Sequence, residues 1–180
     1  MKKLAYSTFL AAALCATTAF AENPMVGGKE MFPDKTIVEN ASASPDHTTL
    51  VAAVKAAGLV ETLSGKGPFT VFAPTNAAFD ALPAGTVDTL LKPENKKKLT
   101  AVLTYHVVAG DLTAAKLAAK IKAGKGKAKL KTVNGESLTA MSEGDKVMLK
   151  DSKGNVANVT IADVKQSNGE VHVIDKVLMP

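Results

Sequence analysis

The sequence contains no arginine and no tryptophan, and all 22 of its basic residues are lysine. Arginine supplies the planar, bidentate contacts that read guanine and clamp phosphate, so a sequence-specific nucleic-acid reader is disfavoured. The formal charge of +5 does not by itself indicate a nucleic-acid partner. Aromatic residues are scarce, and beyond residue 21 they are Phe32, Phe69, Phe72, Phe79 and Tyr105. None interleaves with the lysines, so there is no stacking platform for a single strand. Cys15 is the single cysteine, which excludes an intramolecular disulfide. The three histidines, His47, His106 and His172, are far apart in the chain and form no H-x-x-x-H pattern. They read as partly buried structural residues, not metal ligands. There is no G-x-S-x-G elbow and no P-loop, and Gly65-Lys66-Gly67 and Gly124-Lys125-Gly126 read as turns. No enzyme, cofactor or metal site is expected.

Hydrophobic residues make up 46% and charged residues 22% of 180 residues, the profile of one globular domain with short extensions. Lys2 and Lys3 precede an uncharged run from Leu4 to Phe20, and Ala19-Phe20-Ala21 has the small-x-small form of a cleavage site. Residues 1–21 are therefore expected to be a signal peptide, with export to the periplasm or outside the cell. Cys15 lies inside this segment after Leu14, where a lipoprotein site requires a small residue, so no lipid anchor is expected. No second apolar run is long enough to span a membrane.

Residues 22–36 read as an N-terminal arm, with a short helix starting near Thr36. Asp46 is placed to cap a helix over about 47–57, which Gly58 stops. Phe69-Thr70-Val71-Phe72-Ala73 has the composition of a buried strand, ended by Pro74. Thr75 and Asn76 read as caps of a short helix carrying Phe79. Further helices are expected at 86–91, from Pro93 with Leu99, Val102 and Leu103 on one face, and after Thr113. Beyond Gly124 the pattern turns to strands, at about 129–133, 137–141, 146–150, 156–161 and 171–178. Asn134-Gly135 and Asn168-Gly169 read as two-residue hairpin turns. Helices first and antiparallel strands second indicate an α+β fold. Glu143, Asp145 and Asp151 match no EF-hand loop and read as solvent-exposed acids at hairpin ends.

The densest charge feature is Lys120, Lys122, Lys125, Lys127, Lys129 and Lys131. The last four alternate, so a strand would place them on one face. That face is either a solvated, protected edge strand or a patch for an anionic surface such as an acidic polysaccharide.

Three segments together resemble the fasciclin domain. They are Gly67 to Phe79 (GPFTVFAPTNAAF), Tyr105 to Gly110 (YHVVAG) and Asn168 to Pro180 (NGEVHVIDKVLMP). They follow the family's order, and with the opening helix the likeness covers residues 37–180. The resemblance implies an antiparallel-rich β wedge with several helices packed on it. It also implies secretion or surface display and a non-enzymatic role in adhesion to a protein or cell-surface partner. The alternative is a periplasmic binder of an anionic polymer or small ligand, through the strip from Lys120 to Lys131 or a cleft. Phe69, Phe72, Pro74, Thr75, Asn76, Phe79, Tyr105, His106, Asn168, Gly169, His172 and Asp175 carry the family motif and are expected to serve the fold. In animal adhesion members, an Asp followed by an aliphatic residue before the final strand contributes to receptor binding. The resemblance thus implies a partner contact at Asp163 and Val164. The place of Asp163 after Val159-Thr160-Ile161 and before Asn168-Gly169 makes it either a carboxylate projecting from a strand end or a turn carboxylate bonding nearby backbone N–H groups.

Overall fold

The computed structural model describes residues 23–144 and 146–180, so the expected signal peptide, Glu22 and Asp145 lie outside the described residues. A hairpin of β1 (Met25–Val26) and β2 (Lys29–Glu30) opens the described chain. The helices are α1 (Ile37–Ala43), α2 (Thr48–Ala57), α3 (Val60–Ser64), α4 (Asn76–Asp80), α5 (Thr86–Leu91), α6 (Lys96–Tyr105) and α7 (Ala114–Ala123). The remaining strands are β3 (Phe69–Pro74), β4 (Val107–Ala109), β5 (Lys127–Lys131), β6 (Ser137–Glu143), β7 (Lys146–Lys150), β8 (Val156–Gln166) and β9 (Gly169–Ile174).

The sheet runs in the order β4-β3-β9-β8-β7-β6-β5. Only β3 and β9 pair in parallel among the described strands; the other neighbours are antiparallel. Its two ends approach each other, with a bridge between Val108 and Thr132 and a 2.8 Å bond from the Val133 amide to the Val107 carbonyl. The result is an α+β fold whose sheet nearly closes into a barrel.

Two apolar cores flank the central strands. Val71, Ala73, Val171 and Val173 join one core with Leu50, Val54, Leu99 and Leu103 from α2 and α6. Phe72 and Ile174 join the other, with Leu117 and Ile121 of α7 and Leu138, Ala140 and Leu149 of β6 and β7. Alternation along β3 and β9 sends successive side chains to opposite cores, so their near-continuous apolar runs are a consequence of burial on both faces.

The N-terminal segment is docked. Val26 and Met31 are buried in the first core, and the Ser167 amide donates to the Lys35 carbonyl at 2.9 Å. Asp46 does not cap α2. A 3₁₀ turn over Pro45–His47 intervenes, and the Asn76 Oδ1 accepts from the Thr49 amide at 3.0 Å instead. Thr75 caps α4 and Thr113 caps α7, through the Ala78 and Lys116 amides.

Several strand ends differ from the sequence expectation. β8 runs on to Gln166, and β9 stops at Ile174. Asp175 turns the chain by accepting from the Asn158 amide and side chain, both at 2.7 Å. The β8–β9 turn is Ser167-Asn168, one residue earlier than expected, since Gln166 pairs with Gly169. The β5–β6 connection is a five-residue loop over 132–136. Asp151 is buried, because its carboxylate accepts from the Lys153, Asn155 and Met179 amides at 2.8–3.1 Å.

Candidate functional site

The motif residues knit elements together. Asn168 is buried at the β8–β9 turn, where its Nδ2 donates to the Leu63 and Gly65 carbonyls at 2.6 and 3.1 Å. Its Oδ1 accepts from the Ile37 amide at 3.1 Å. One side chain thereby ties α1, α3 and the turn. Gly169 lies so close to β3 that a Cβ there would stand 2.0 Å from the Phe69 carbonyl oxygen. Tyr105 is fully buried; its hydroxyl donates to the Ser137 carbonyl at 3.3 Å and accepts from the Ser152 amide at 3.1 Å. His106 Nδ1–H donates to the Val102 carbonyl at 2.8 Å, and its Nε2 accepts from the Leu178 amide at 3.0 Å. Burial holds its pKa down at about 4, against the opposing pull of the Val102 carbonyl and the Asp151 carboxylate. The ring is neutral, with both nitrogens engaged by backbone.

Two exposed features remain, and the lysines form the first. Lys127, Lys129 and Lys131 alternate along β5 and are exposed, while Ala128 and Leu130 point into the second core. Lys125 is not on the strand. It sits in the preceding turn with φ of 55°. Because α7 packs with Ala128 and Leu130, the helix lysines Lys120 and Lys122 lie away from the strand lysines. The face grows sideways instead. Register places Thr139 beside Lys129 and Lys150, and Met141 beside Lys127 and Met148. Alternation then adds Lys146 and Lys150 of β7 to the same outer face. That face carries Lys127, Lys129, Lys131, Lys146 and Lys150, with Glu143 opposite Lys146 as its acid. The sequence alone could not supply the β7 lysines, because strand register joins them to the strip.

The second feature surrounds Asp163. This residue does not project from a strand end. It occupies an irregular stretch within β8, between the Ile161 and Val164 pairings, with φ of 58°. Bulges re-aim side chains, and here the Asp163 Oδ1 accepts from the Ala114 amide of α7 at 2.6 Å. Val164 is 1% exposed and belongs to the first core, so it offers no surface to a partner. The Asp163 amide donates to His172 Nδ1 at 3.3 Å, and His172 Nε2–H donates to the Leu112 carbonyl at 2.7 Å. The His172 ring stacks on Phe72 with centroids 5.6 Å apart. Burial holds the His172 pKa below the ordinary histidine value.

Glu170 lies two residues from His172 on the same side of β9, and it is 1% exposed. Neither carboxylate oxygen has a hydrogen-bond partner among the described residues. Burial, reinforced by the neighbouring Asp163 and Asp111 carboxylates, pushes its pKa up to about 7. Asp111 is held by Lys116 at 2.5 Å. A cleft of about 420 Å³ lined by Pro68, Asp111, Thr113, Lys165, Gln166, Gly169 and Glu170 opens beside these groups. Sequence reading passed over Glu170 and Asp111. The available signal was the Glu170-x-His172 spacing, which puts both side chains on one face of a strand.

The family model for the fasciclin domain matches residues 45–180. The chain belongs to the fasciclin domain family. All three motif segments fall within the match, while the β1–β2 hairpin and α1 precede it. Among relatives of the fasciclin chain, protein sll1483 of Synechocystis is 54% identical over 145 residues, covering 81% of this chain and 73% of that protein. Cell surface glycolipoprotein MPB83 of Mycobacterium bovis is 37% identical over 175 residues, covering 92% and 70%. The fold is shared with a FAS1 domain pair from the insect cell adhesion molecule fasciclin I, at a TM-score of 0.71 and 20% identity over 82% of this chain and 52% of that one. In this fasciclin domain, most motif residues with polar side chains hold backbone groups. No helix among the described residues is long and apolar enough to cross a membrane.

Proposed function

We propose that this fasciclin domain is an exported, non-enzymatic adhesion module, and that it meets its partner through the lysine face of β5, β6 and β7. The observation that carries the reading is the juxtaposition of Lys127, Lys129, Lys131, Lys146 and Lys150 on one exposed surface. Five ammonium groups facing outward create a positive field over a firm sheet, and a rigid surface loses little conformational freedom on binding. The partner chemistry is an acidic surface: an acidic polysaccharide or a carboxylate-rich protein of the cell envelope. Nucleic acid is disfavoured by the absence of arginine and of aromatic side chains among these lysines. Membership of the family and the surface location named for the mycobacterial relative support the adhesion role and export.

Binding to an acidic polysaccharide should be weak and should fall sharply as salt rises from about 10 to about 150 mM, where the Debye length contracts from roughly 30 to roughly 8 Å. Replacing all five lysines by Gln should leave the thermal transition nearly unchanged, as isolated surface changes do. The same variant should lose at least about tenfold in affinity at low salt, measured by calorimetry or affinity electrophoresis. Retained affinity in the folded variant contradicts the face as the contact.

Export makes a separate prediction. Intact-mass measurement of the protein recovered from the envelope should give a chain beginning at Glu22. A mass retaining residues 1–21, or one carrying lipid on Cys15, contradicts it.

A further inference from the structure

The geometry points to a divalent transition-metal site formed by Asp163, Glu170 and His172 at the α7 end of the central strands. One ligand atom from each lies within 4.8 Å of the other two. This goes beyond the adhesion reading, since these residues are separate from the lysine face.

The strongest observation is Glu170. A carboxylate removed from water normally finds donors or a counter-charge, because an unpaired buried charge is costly. Glu170 has no donor or counter-charge in hydrogen-bond geometry among the described residues, and the groups nearest it are the Asp163 and Asp111 carboxylates, which can bond it only through a shared proton. Its acidic neighbours, Asp163 and Asp111, are acceptors when ionised and add repulsion. Lys165 stands opposite Glu170 in the β8–β9 register and lines the same cleft, yet it stays exposed and does not pair with it. A cation is the ligand that such a group lacks.

His172 supplies the second observation. Its Nε2–H is fixed on the Leu112 carbonyl at 2.7 Å, which leaves the Nδ1 lone pair toward Asp163. A metal-bound imidazole characteristically donates its other N–H to a backbone carbonyl or carboxylate, which sets tautomer and ring direction. Stacking on Phe72 holds the ring plane. The present occupant of Nδ1 is only the Asp163 amide at 3.3 Å, a long bond that an ion would replace.

Asp163 completes the set from the solvent side. Non-glycine residues with positive φ are uncommon and cluster at functional sites. Asp163 is exposed with φ of 58°, and it keeps Oδ1 on the Ala114 amide while Oδ2 is unengaged by any described hydrogen bond. Ligands about 2.0–2.2 Å from a shared ion in tetrahedral geometry stand roughly 3.4 Å apart, so closing the site asks for about 1 Å of side-chain movement. Of the three, Glu170 lines the cleft beside Asp111. One imidazole with two carboxylates suits Zn²⁺ or Co²⁺, whereas Ca²⁺ and Mg²⁺ prefer oxygen alone.

The test uses the protein purified without a polyhistidine tag and stripped with a chelator. Calorimetry with Zn²⁺ should show one saturable site, and Zn²⁺ should raise the melting temperature. Co²⁺ should give a visible absorption band that Zn²⁺ abolishes. Glu170→Gln and Asp163→Asn should each remain folded and weaken Zn²⁺ binding by more than about 100-fold, beyond the usual loss from an outer partner. His172→Gln is the third variant, and because His172 is buried, its reading depends on an unchanged circular dichroism spectrum. No saturable Zn²⁺ or Co²⁺ binding overturns the proposal, as does binding that survives Glu170→Gln. Tighter binding of Ca²⁺ than of Zn²⁺ overturns it too, since the imidazole would then be idle.

Discussion

Asn168→Ala is expected to destabilise the protein by roughly 3–5 kcal/mol, because three backbone partners lose their bonds together and each buried loss costs about 1–3 kcal/mol. The side chain donates to Leu63 and Gly65 and accepts from Ile37, so α1, α3 and the β8–β9 turn all depend on it. The Phe69 amide also bonds the Asn168 carbonyl at 3.1 Å, which places β3 against the same turn. The backbone is closely packed here, since a Cβ on Gly67 would stand 1.9 Å from the Asn168 carbonyl oxygen. Asn168→Asp should be nearly as damaging, as it keeps the acceptor for Ile37 but turns an oxygen toward two carbonyls. Chemical denaturation measures both. A loss below about 1 kcal/mol for Asn168→Ala would show that water replaces these bonds and that the turn is not a structural hub.

Stability should also fall on acidification through His106. The folded ring stays neutral down to about 4, whereas an unfolded histidine protonates near 6.5. Between those values the unfolded chain binds more protons, so stability rises with pH across the window. The contribution is fully present above about 6.5 and is lost below about 4, and a difference of about 2.5 units corresponds to about 3 kcal/mol. The cause is geometric. Protonating Nε2 would place a second donor against the Leu178 amide in a site without water access. Asp151 is the charged group that favours the proton, and burial outweighs it. His47 and His172 are shifted in the same direction by burial and act in the same sense. The His106 share is isolated by His106→Ala, which should cost about 1–3 kcal/mol near pH 7.5 and progressively less below pH 6. Parallel stability–pH curves for the two proteins contradict a neutral, structural His106.

The elements with local signals were legible in the chain. Phe69 to Ala73 reads as a doubly buried strand, Thr75 and Thr113 are caps, and Pro93 opens the turn before α6. What escaped depends on partners distant in sequence. Asn76 looks like a cap for its own helix, yet its side chain binds the start of α2, because the 3₁₀ turn brings Thr49 to it. Asp163 looks like an exposed strand end, yet the bulge folds its carboxylate onto α7. The lysine strip was legible along β5, but its β7 half appears only through register, and Lys125 leaves the strand at a turn between two glycines. Nothing local to Glu170, which stands beside Gly169, signals its burial. It is buried all the same, and the groups beside it, Asp111 and Asp163, with Pro68 lining the same cleft, are brought there by the fold.

The motif residues build the fold, and the outer face of β5–β7 is the proposed contact. The direct measurement is nuclear magnetic resonance mapping, titrating isotope-labelled protein with an acidic polysaccharide at low salt. The largest shifts should fall at Lys127, Lys129, Lys131, Lys146 and Lys150 and their strand neighbours, with the amides of Tyr105, His106 and Asn168 unmoved. Largest shifts around Asp163 or the Ser167–Gly169 turn, with the β5–β7 face silent, would contradict it.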